Sequence, residues 1–443
     1  MSKTYSINRQ VPVIGEYDII VAGSGPAGIC AAVSAARLGK RVLLVERFGI
    51  IGGNLTVGHV SPILGSVSAG TMFDELCDLF AAGHAYAEKV QTRNGIEIHI
   101  DHEEAKILLA DLIDKAGVGL MLCASVCDVC MDGSLITGLI LSTPSGMVCV
   151  KGKVIIDATG DGEVAALAGA EIKIGRDDGA TQPFSIEFTV DHVAPGALTA
   201  WGGSDPVILT GGEYAGKEYR VLCREKEECG ELPENVTIVR LHRTFYPDEI
   251  SVNATQVNGL CPINSEELGH ADKLLRAQIL PIIDFLRRYV PGYENARLKS
   301  SAGMVGVRES RRVVGEYILC DSDVENGAGF DDAVVHRAWF LIDIHNPRGG
   351  GQAEGHSHPA KPYDIPYRCF LPLKIDGLLT AGRCISGTHR AHASYRVMAV
   401  CMAMGEAVGI AAALSVQNGI LPRELSAGEI RSELIRRGVE LSD

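Results

Sequence analysis

The spacing of hydrophobic and polar positions changes several times along the chain, and each change predicts an element. Residues 17–22 are an apolar run of strand length that ends in glycine. Residues 27–38 are small and apolar at helical spacing and close on Gly39, and residues 41–45 form a second apolar run that ends on Glu46. Together they predict one strand–helix–strand unit with a right-handed crossover. Residues 101–116 carry Ile107, Leu108, Leu112 and Ile113 on one helical face, with Gly117 as the stop. Residues 120–128, 135–142 and 148–158 read as strands, with a turn at Asp132-Gly133 and a second glycine loop after Ala158.

From about residue 171 to 370 the texture changes. Polar strands such as 237–241 alternate with helices such as 271–289, and a loop rich in Gly and His covers 346–362. Residues 377–381 then return to a short apolar strand, followed by a long helix of small residues after Tyr395. The return predicts a discontinuous nucleotide-binding domain (residues 1–170 and 371–443) with an α+β substrate or cap domain (171–370) inserted between its halves.

Length and composition fit that division. A chain of 443 residues with 46% hydrophobic side chains has material for two or three lobes with substantial cores. A formal charge of −14 argues against nucleic acid as the main partner, because phosphate binding needs a positive surface. The thirteen cysteines are scattered, as expected for reduced thiols in the cytoplasm, and the polar N-terminus has no apolar signal core. Residues 397–416 are almost wholly apolar but contain Glu406, Gly405 and Gly409, which favours a buried core helix over a membrane span.

The first chemical motif is Gly23-Ser24-Gly25-Pro26-Ala27-Gly28. In such a loop the first glycine permits a tight turn, the second lets backbone approach a pyrophosphate, and the third lets helix and strand pack closely. The helix N-terminus offers free N–H groups and a positive dipole end to phosphates. Glu46, at the end of the second strand, is placed to accept hydrogen bonds from ribose hydroxyls. These features predict a dinucleotide without separating NAD from FAD. Two later strand ends separate them: A-T-G-D at Ala158–Asp161 and A-G-R at Ala381–Arg383.

With these motifs the chain resembles the FAD-dependent oxidoreductases with a Rossmann-like nucleotide fold of the glutathione-reductase type. Within them it is similar to a bacterial group of FAD-dependent oxidoreductases related to the flavin subunit of heterodisulfide reductase and, more distantly, to fumarate reductase and thiazole-synthesis proteins. The matching stretches are GGNLTVGHVSPILG (52–65), ATGDGEVAALAGAE (158–171), GMVGVRESRRVVGEY (303–317), YDIPYRC (363–369) and AGRCISGTHRAHASYRVMAVCMAMGEAVG (381–409). The resemblance implies non-covalent FAD in an α/β fold. Gly23, Gly25, Pro26, Ala27 and Gly28 would hold the pyrophosphate, Glu46 the adenosine ribose and Arg47 the adenine edge. Gly52, Gly53, Asn54 and Thr56 would pass beside the ribityl chain and ring. Val126 would offer backbone bonds to adenine, while Ala158, Thr159, Gly160 and Asp161 line the far side. Gly382 and Arg383 would approach the pyrophosphate and ribityl. Arg396, Val397 and Met398 would open the last helix, with its N-terminus toward the flavin pyrimidine, where a helix dipole stabilises negative charge on reduced flavin.

Other clusters carry weaker signals. Cys123, Cys127 and Cys130 have a C-x3-C-x2-C spacing, but a strand alternates its side chains and would not gather three thiolates on one metal. Cys384 is single, so no disulfide relay beside the flavin is expected. His356 and His358, with Glu354, invite a metal reading, and a polar loop or lid is the simpler one; no metal is expected. The catalytic candidates are His389 and His59 for proton movement, either of which can equally be a hydrogen-bonded structural histidine, and Arg308 and Arg390 for holding a polar or anionic group. His392 lies close to His389 in sequence, and His345 sits in the inserted region.

The reaction expected is hydride transfer between a small organic substrate and flavin N5. The alternative is a flavoprotein module that passes electrons within a larger complex and has no substrate of its own. Substrate identity, reaction direction, electron acceptor and assembly into a homo-oligomer stay open at this level.

Overall fold

The computed structural model describes residues 8–92, 95–200, 206–349 and 357–441. The first unit is the expected one: strand β1 (Val13–Ala22), helix α1 (Pro26–Arg37) and strand β2 (Val42–Val45). β1 and β2 pair in parallel from Ile19 opposite Val42 to Ala22 opposite Val45. Both are buried where they pair, as expected of parallel strands covered on two faces.

These strands belong to a seven-stranded sheet. Its order is Gly119–Met121, β2, β1, Gly146–Asp157, Leu135–Thr143, Ser125–Asp132. The strand Gly146–Asp157 serves two partners on one side. Its first half pairs antiparallel with Leu135–Thr143, and its last three residues pair in parallel with Leu378–Thr380. A strand from the C-terminal part of the chain therefore completes a sheet begun at the N-terminus. The parallel strands all end at one edge, where the loops after Ala22, Val45, Asp157 and Thr380 converge. In open α/β sheets that carboxyl edge is where ligands bind.

Helix α1 packs against the long helix Met398–Asn418 with almost no space between backbones. A Cβ on Gly405 would sit 2.0 Å from the Ala27 carbonyl oxygen, and one on Gly409 would sit 2.3 Å from that of Ala31. Both pairs are spaced by four residues, one turn of each helix, so glycines on one face meet alanines on the other. The Met398–Asn418 helix is long and apolar enough to cross a membrane by length and composition alone, and 89% of its most apolar window is buried within the fold. Glu406 is tolerated there because its carboxylate accepts the Met72 N–H at 2.8 Å, at the start of the helix Met72–Ala82.

A second sheet of four antiparallel strands has the order Arg240–Arg243, Ile250–Asn253, Phe188–Asp191, Arg297–Ser301. The helices Tyr219–Glu228 and Ser265–Tyr289 pack on it, and buried side chains from Phe184 to Ala302 form its own core. Asn264 caps the longer helix by accepting the N–H groups of Glu266 and Glu267. Buried side chains from Leu319 to Leu371 belong instead to the large core shared with α1 and Met398–Asn418.

Several boundaries differ from expectation. The strand expected at residues 120–128 is two strands, Gly119–Met121 and Ser125–Asp132, parted where Cys123 takes a left-handed φ of 54°. The strand expected at 237–241 is Arg240–Arg243. The helix Met398–Asn418 is not the last one, since Ala427–Arg436 follows it, and a short helix, His389–Tyr395, precedes it. Glu354 and His356 lie outside the described residues; His358 forms a bridge with Ile342.

Candidate functional site

The converging loops border a cleft whose empty space, open solvent included, is about 880 Å³. Its walls include Gly23, Gly25, Pro26 and Ala27 from the first loop, and Glu46 and Arg47 from the end of β2. Gly53, Asn54, Val126, Ala158, Thr159, Gly160, Gly382, Arg383, Arg396 and Met398 complete the residues anticipated there. Stretches almost 400 residues apart in sequence thus meet around one space.

The first loop is shaped by contact. Gly23 has φ of 95°, and a Cβ on Gly28 would lie 1.8 Å from the Gly23 carbonyl oxygen, so neither position accepts a side chain. Gly25 is different: its φ is −66°, and a Cβ there would meet nothing within 4 Å. The empty direction at Gly25 is the cleft, the place for a ligand that needs close backbone approach.

Glu46 is buried and holds the loop closed. One carboxylate oxygen accepts the Ser24 N–H at 2.9 Å and the Ser24 hydroxyl at 2.6 Å; the other accepts the Phe48 N–H at 2.9 Å. A carboxylate has roughly four acceptor sites, so about one remains for a ligand hydroxyl. Asp157, fully buried at the end of its strand, accepts the Thr159 N–H and hydroxyl and the Ala165 N–H, which fixes the A-T-G-D turn. Burial pushes its carboxyl above the ordinary range despite these bonds.

Five of the anticipated residues stand behind the wall. Gly28 packs under Gly23. Thr56 is fully buried and gives its hydroxyl to the Ile51 carbonyl, bracing the turn at Gly52. Val397 packs over Gly65. Asp161 accepts Ser310 Oγ at 2.7 Å, Arg383 at 3.1 Å and Arg47 at 3.4 Å. Burial alone would raise its carboxyl, but the guanidinium groups of Arg383 and Arg47 hold it below the ordinary range. Asp161 therefore aims the two arginines and does not itself line the cleft.

Residues not anticipated also line it, among them Ser24, Phe48, Glu163, Met304 and Cys401. Met304 comes from the loop after the second sheet, tied to the Gly52 loop by a bond from the Gly303 N–H to the Val57 carbonyl at 2.8 Å. Its sequence signal is the stretch GMVGVRESRRVVGEY, in which Arg308 and not Met304 is the residue with recognisable chemistry. Cys384 points away from the cleft, with its buried thiol near the Asp157 and Ala381 carbonyls. Cys127 and Cys130 lie on one strand with Cys123 before it, and Cys130 Sγ is 3.6 Å from Cys149 Sγ.

Beside the cleft is a group of polar side chains with incomplete hydrogen bonding. His389 Nδ1 lies 2.8 Å from fully buried Glu309, which also pairs with Arg312 and accepts the Gln182 N–H at 3.3 Å. Arg312 is spent on Glu309 and on the carbonyls of Gly387 and Gly175. His389 Nε2, His392 Nδ1, Arg396 Nε and His59 Nδ1 are buried without a partner among the described residues. Buried polar atoms are normally satisfied, and His392 feels both His389 and Arg396, so the three unpartnered atoms on these residues point to a ligand. Burial holds His392 far on the neutral side, with Arg312 and Arg396 adding to the effect.

His59 has a left-handed φ of 51° and stacks on His102 with ring centroids 5.1 Å apart. Burial, and then His102, lower its pKa to about 4, so it is a neutral imidazole. Arg308 donates to the Pro183 carbonyl at 3.0 Å and to Ser185 Oγ at 2.9 Å. Burial and the neighbouring Arg396 and Arg240 bring it down to about 10. Arg396 donates to the carbonyl and carboxylate of Asp343 at 2.9 and 3.2 Å, and His345 Nε2 lies 3.4 Å from the same carboxylate. Arg390 does not join this group. It pairs with Glu325 at 2.9 Å and Asp321 at 3.5 Å on the short helix Asp321–Asn326.

The cleft, its glycine cradle and its unsatisfied donors and acceptors suit a dinucleotide with a ring system at one end. A family model described as FAD dependent oxidoreductase matches residues 18–434. The chain belongs to that family. It is accordingly an enzyme with FAD as its cofactor. A thiamine thiazole synthase of Desulfosudis oleivorans is 31% identical over 154 residues, 33% of this chain and 56% of that protein. Digeranylgeranylglycerophospholipid reductase 1 of Methanococcoides burtonii is 26% identical over 201 residues, 41% of this chain and 45% of that protein. The matches span about half the length of these relatives. Among solved structures, a geranylgeranyl bacteriochlorophyll reductase-like protein of Thermoplasma acidophilum is similar with a TM-score of 0.51 at 14% identity, over 96% of this chain and 84% of that one. A flavin-dependent brominase is similar with a TM-score of 0.50 at 15% identity, over 95% and 83%. At such identities the likeness is one of fold.

Proposed function

We propose that this FAD-dependent oxidoreductase acts on a small organic substrate held at the inner end of the cleft, between the FAD-binding part and the second sheet. The observation that carries the reading is the set of buried, unpartnered polar atoms on His389, His392 and Arg396, of which Arg396 lines the dinucleotide cleft. Bound non-covalently, FAD supplies two-electron chemistry, with a hydride passing between a substrate carbon and flavin N5.

The chain's own residues do the rest. Gly23, Gly25, Pro26 and Ala27 receive the pyrophosphate at the start of α1, with Gly28 keeping strand and helix close. Glu46 takes a ribose hydroxyl, and Arg47 and Val126 flank the adenine. Gly52, Gly53 and Asn54, with Ala158, Thr159 and Gly160 opposite, enclose the middle of the cofactor, supported by Thr56 and Asp161. Gly382 and Arg383 close over it. Arg396, Val397 and Met398 bring the helix Met398–Asn418 to the ring end, where its N-terminus favours negative charge.

His389 is the proton carrier we favour. Glu309 holds its Nδ1 side, which leaves Nε2 to exchange a proton with substrate. His59, neutral and stacked, is the second candidate. Arg308 orients the polar end of the substrate. Arg390, engaged with Asp321 and Glu325, has a structural role.

The finer assignments belong to the same proposal. The nucleotide fold is of the glutathione-reductase type, and residues 171–370 are the inserted substrate region, with the stretch from Leu319 onward packed on the FAD-binding core. The protein is read as cytoplasmic. The test is to load the protein with FAD and mix it anaerobically with a panel of organic acids, alcohols and unsaturated compounds. Rapid bleaching of the flavin by one of them is expected. A flavin that no small molecule reduces or reoxidises would favour an electron-transfer module instead.

A further inference from the structure

The group around Arg308 carries more charge than the fold uses. We propose that the substrate is a small organic acid, and that its carboxylate is received by Arg240, Arg308 and Arg396 beside the cofactor cleft, whose wall Arg396 joins. This rests on the flavin reading above and adds the substrate class.

The three arginines come from separate places. Arg240 begins a strand of the second sheet, Arg308 follows the loop that carries Met304, and Arg396 stands just before the helix Met398–Asn418. Each is largely withdrawn from solvent, and the charge of each is felt by Arg308 or by Asp343. A guanidinium cannot give up its proton in a protein, so three positive charges are fixed here.

The counter-charges fall short. Asp343 is ionised: burial works against its charge, but His345, Arg396 and Arg240 beside it hold its carboxyl far below the ordinary range. It is already shared by Arg396 and His345. Glu187 faces Arg308 and Arg240 as well, yet burial pushes it up to about 8, so it is mostly protonated at neutral pH. His345 is neutral, brought down to about 3 by burial and then by Arg308. Among the described residues the group therefore keeps a surplus of about two positive charges in a largely covered wall, where an unpaired charge is costly.

The hydrogen bonds show the same surplus. Arg308 is oriented through Nη1 alone, by the Pro183 carbonyl and Ser185 Oγ. Arg396 Nε is buried without a partner among the described residues, and the Arg396 bonds run from Nη2 to Asp343 alone. Donors on three rigidly placed planar forks, with two carboxylates or fewer to receive them, suit the flat, two-oxygen geometry of a carboxylate. Arg240 and Arg308 are absent from the lining of the dinucleotide cleft, so the surplus is not explained by the FAD pyrophosphate.

The experiment is a titration of FAD-loaded protein with acetate, succinate, succinamide and inorganic phosphate, read by perturbation of the visible flavin spectrum. Saturable shifts with acetate or succinate and none with neutral succinamide are expected, weakening as salt rises. Arg240→Gln should weaken succinate binding by about tenfold or more with FAD content unchanged, and Arg240→Lys should recover part of it. If Arg240→Gln does not fold, Arg308→Lys is read in the same way. A spectrum unmoved by either acid, a preference for phosphate, or undiminished succinate binding in the variants would overturn the proposal. Failure to take up FAD would instead overturn the flavin reading. In that case the shift in thermal midpoint of the FAD-free chain with succinate against succinamide decides whether the acid site stands.

Discussion

The two ends of the cleft are built on opposite principles. At the nucleotide end each buried carboxylate is tied to several donors. Glu46 ties Ser24 to Phe48, Asp157 ties Thr159 to Ala165, and Asp161 ties Arg47 to Arg383. At the inner end polar atoms are buried without a partner among the described residues: a histidine nitrogen on His389, another on His392 and the Nε of Arg396. A closed network holds one cofactor in one pose, whereas an open one is completed by a molecule that comes and goes. The difference marks which end binds permanently and which end reacts.

The sharpest way to break the nucleotide end is Gly28→Val. The new Cβ would fall 1.8 Å from the Gly23 carbonyl, so strand and helix must part, and loss of both bound flavin and cooperative melting is expected. Next is Glu309→Ala, which leaves Arg312 buried without its carboxylate partner. A loss of about 3–5 kcal/mol in chemical denaturation is expected. His389→Asn separates structure from chemistry: flavin content and melting should hold while turnover falls about a hundredfold or more, with the pH dependence of kcat altered.

The pH response sharpens the contrast between buried carboxylates. Burial raises Glu406 from 4.5 to about 7 in the folded chain. The folded state therefore binds this proton more tightly than the unfolded state. Its contribution to stability is full below about 4.5 and is lost as pH rises through about 7. Glu406→Gln keeps an acceptor for the Met72 N–H and should flatten the fall in melting temperature between those limits. A fall unchanged in the variant would refute the assignment. The smallest effect belongs to Arg390→Ala: its partially exposed pairs contribute roughly 1 kcal/mol or less, and flavin content and substrate binding should be unaffected.

How much of this was legible in the sequence follows from the same contrast. The nucleotide end is made by backbone, and backbone demands particular residues at fixed spacing. Gly23 and Gly28 cannot be replaced, so the loop, the strand before it and the helix after it could be read directly. Glycine spacing also marked Gly405 and Gly409, though not that α1 was their partner. The inner end is made by side chains from Glu187, Arg240, Arg308, Asp343 and His389, which share no local pattern. Of these only Arg308 and His389 were singled out, because they stand in stretches that resemble the family. Arg240 lies in a plain amphipathic strand and Asp343 in a loop, and nothing local marks either. Arg390 shows the limit of sequence adjacency: it sits beside His389 in sequence, while its side chain pairs with Asp321 and Glu325.

The account's central claim is that the empty direction above Gly25 is where the cofactor's pyrophosphate lies. Gly25→Val tests it most directly, because φ there is permitted to any residue and an added Cβ meets nothing within 4 Å. The FAD-free variant should melt at the same temperature as the FAD-free native chain, yet bind FAD at least about a hundredfold more weakly in a fluorescence titration. A folded Gly25→Val that binds FAD as tightly as the native chain would contradict the account.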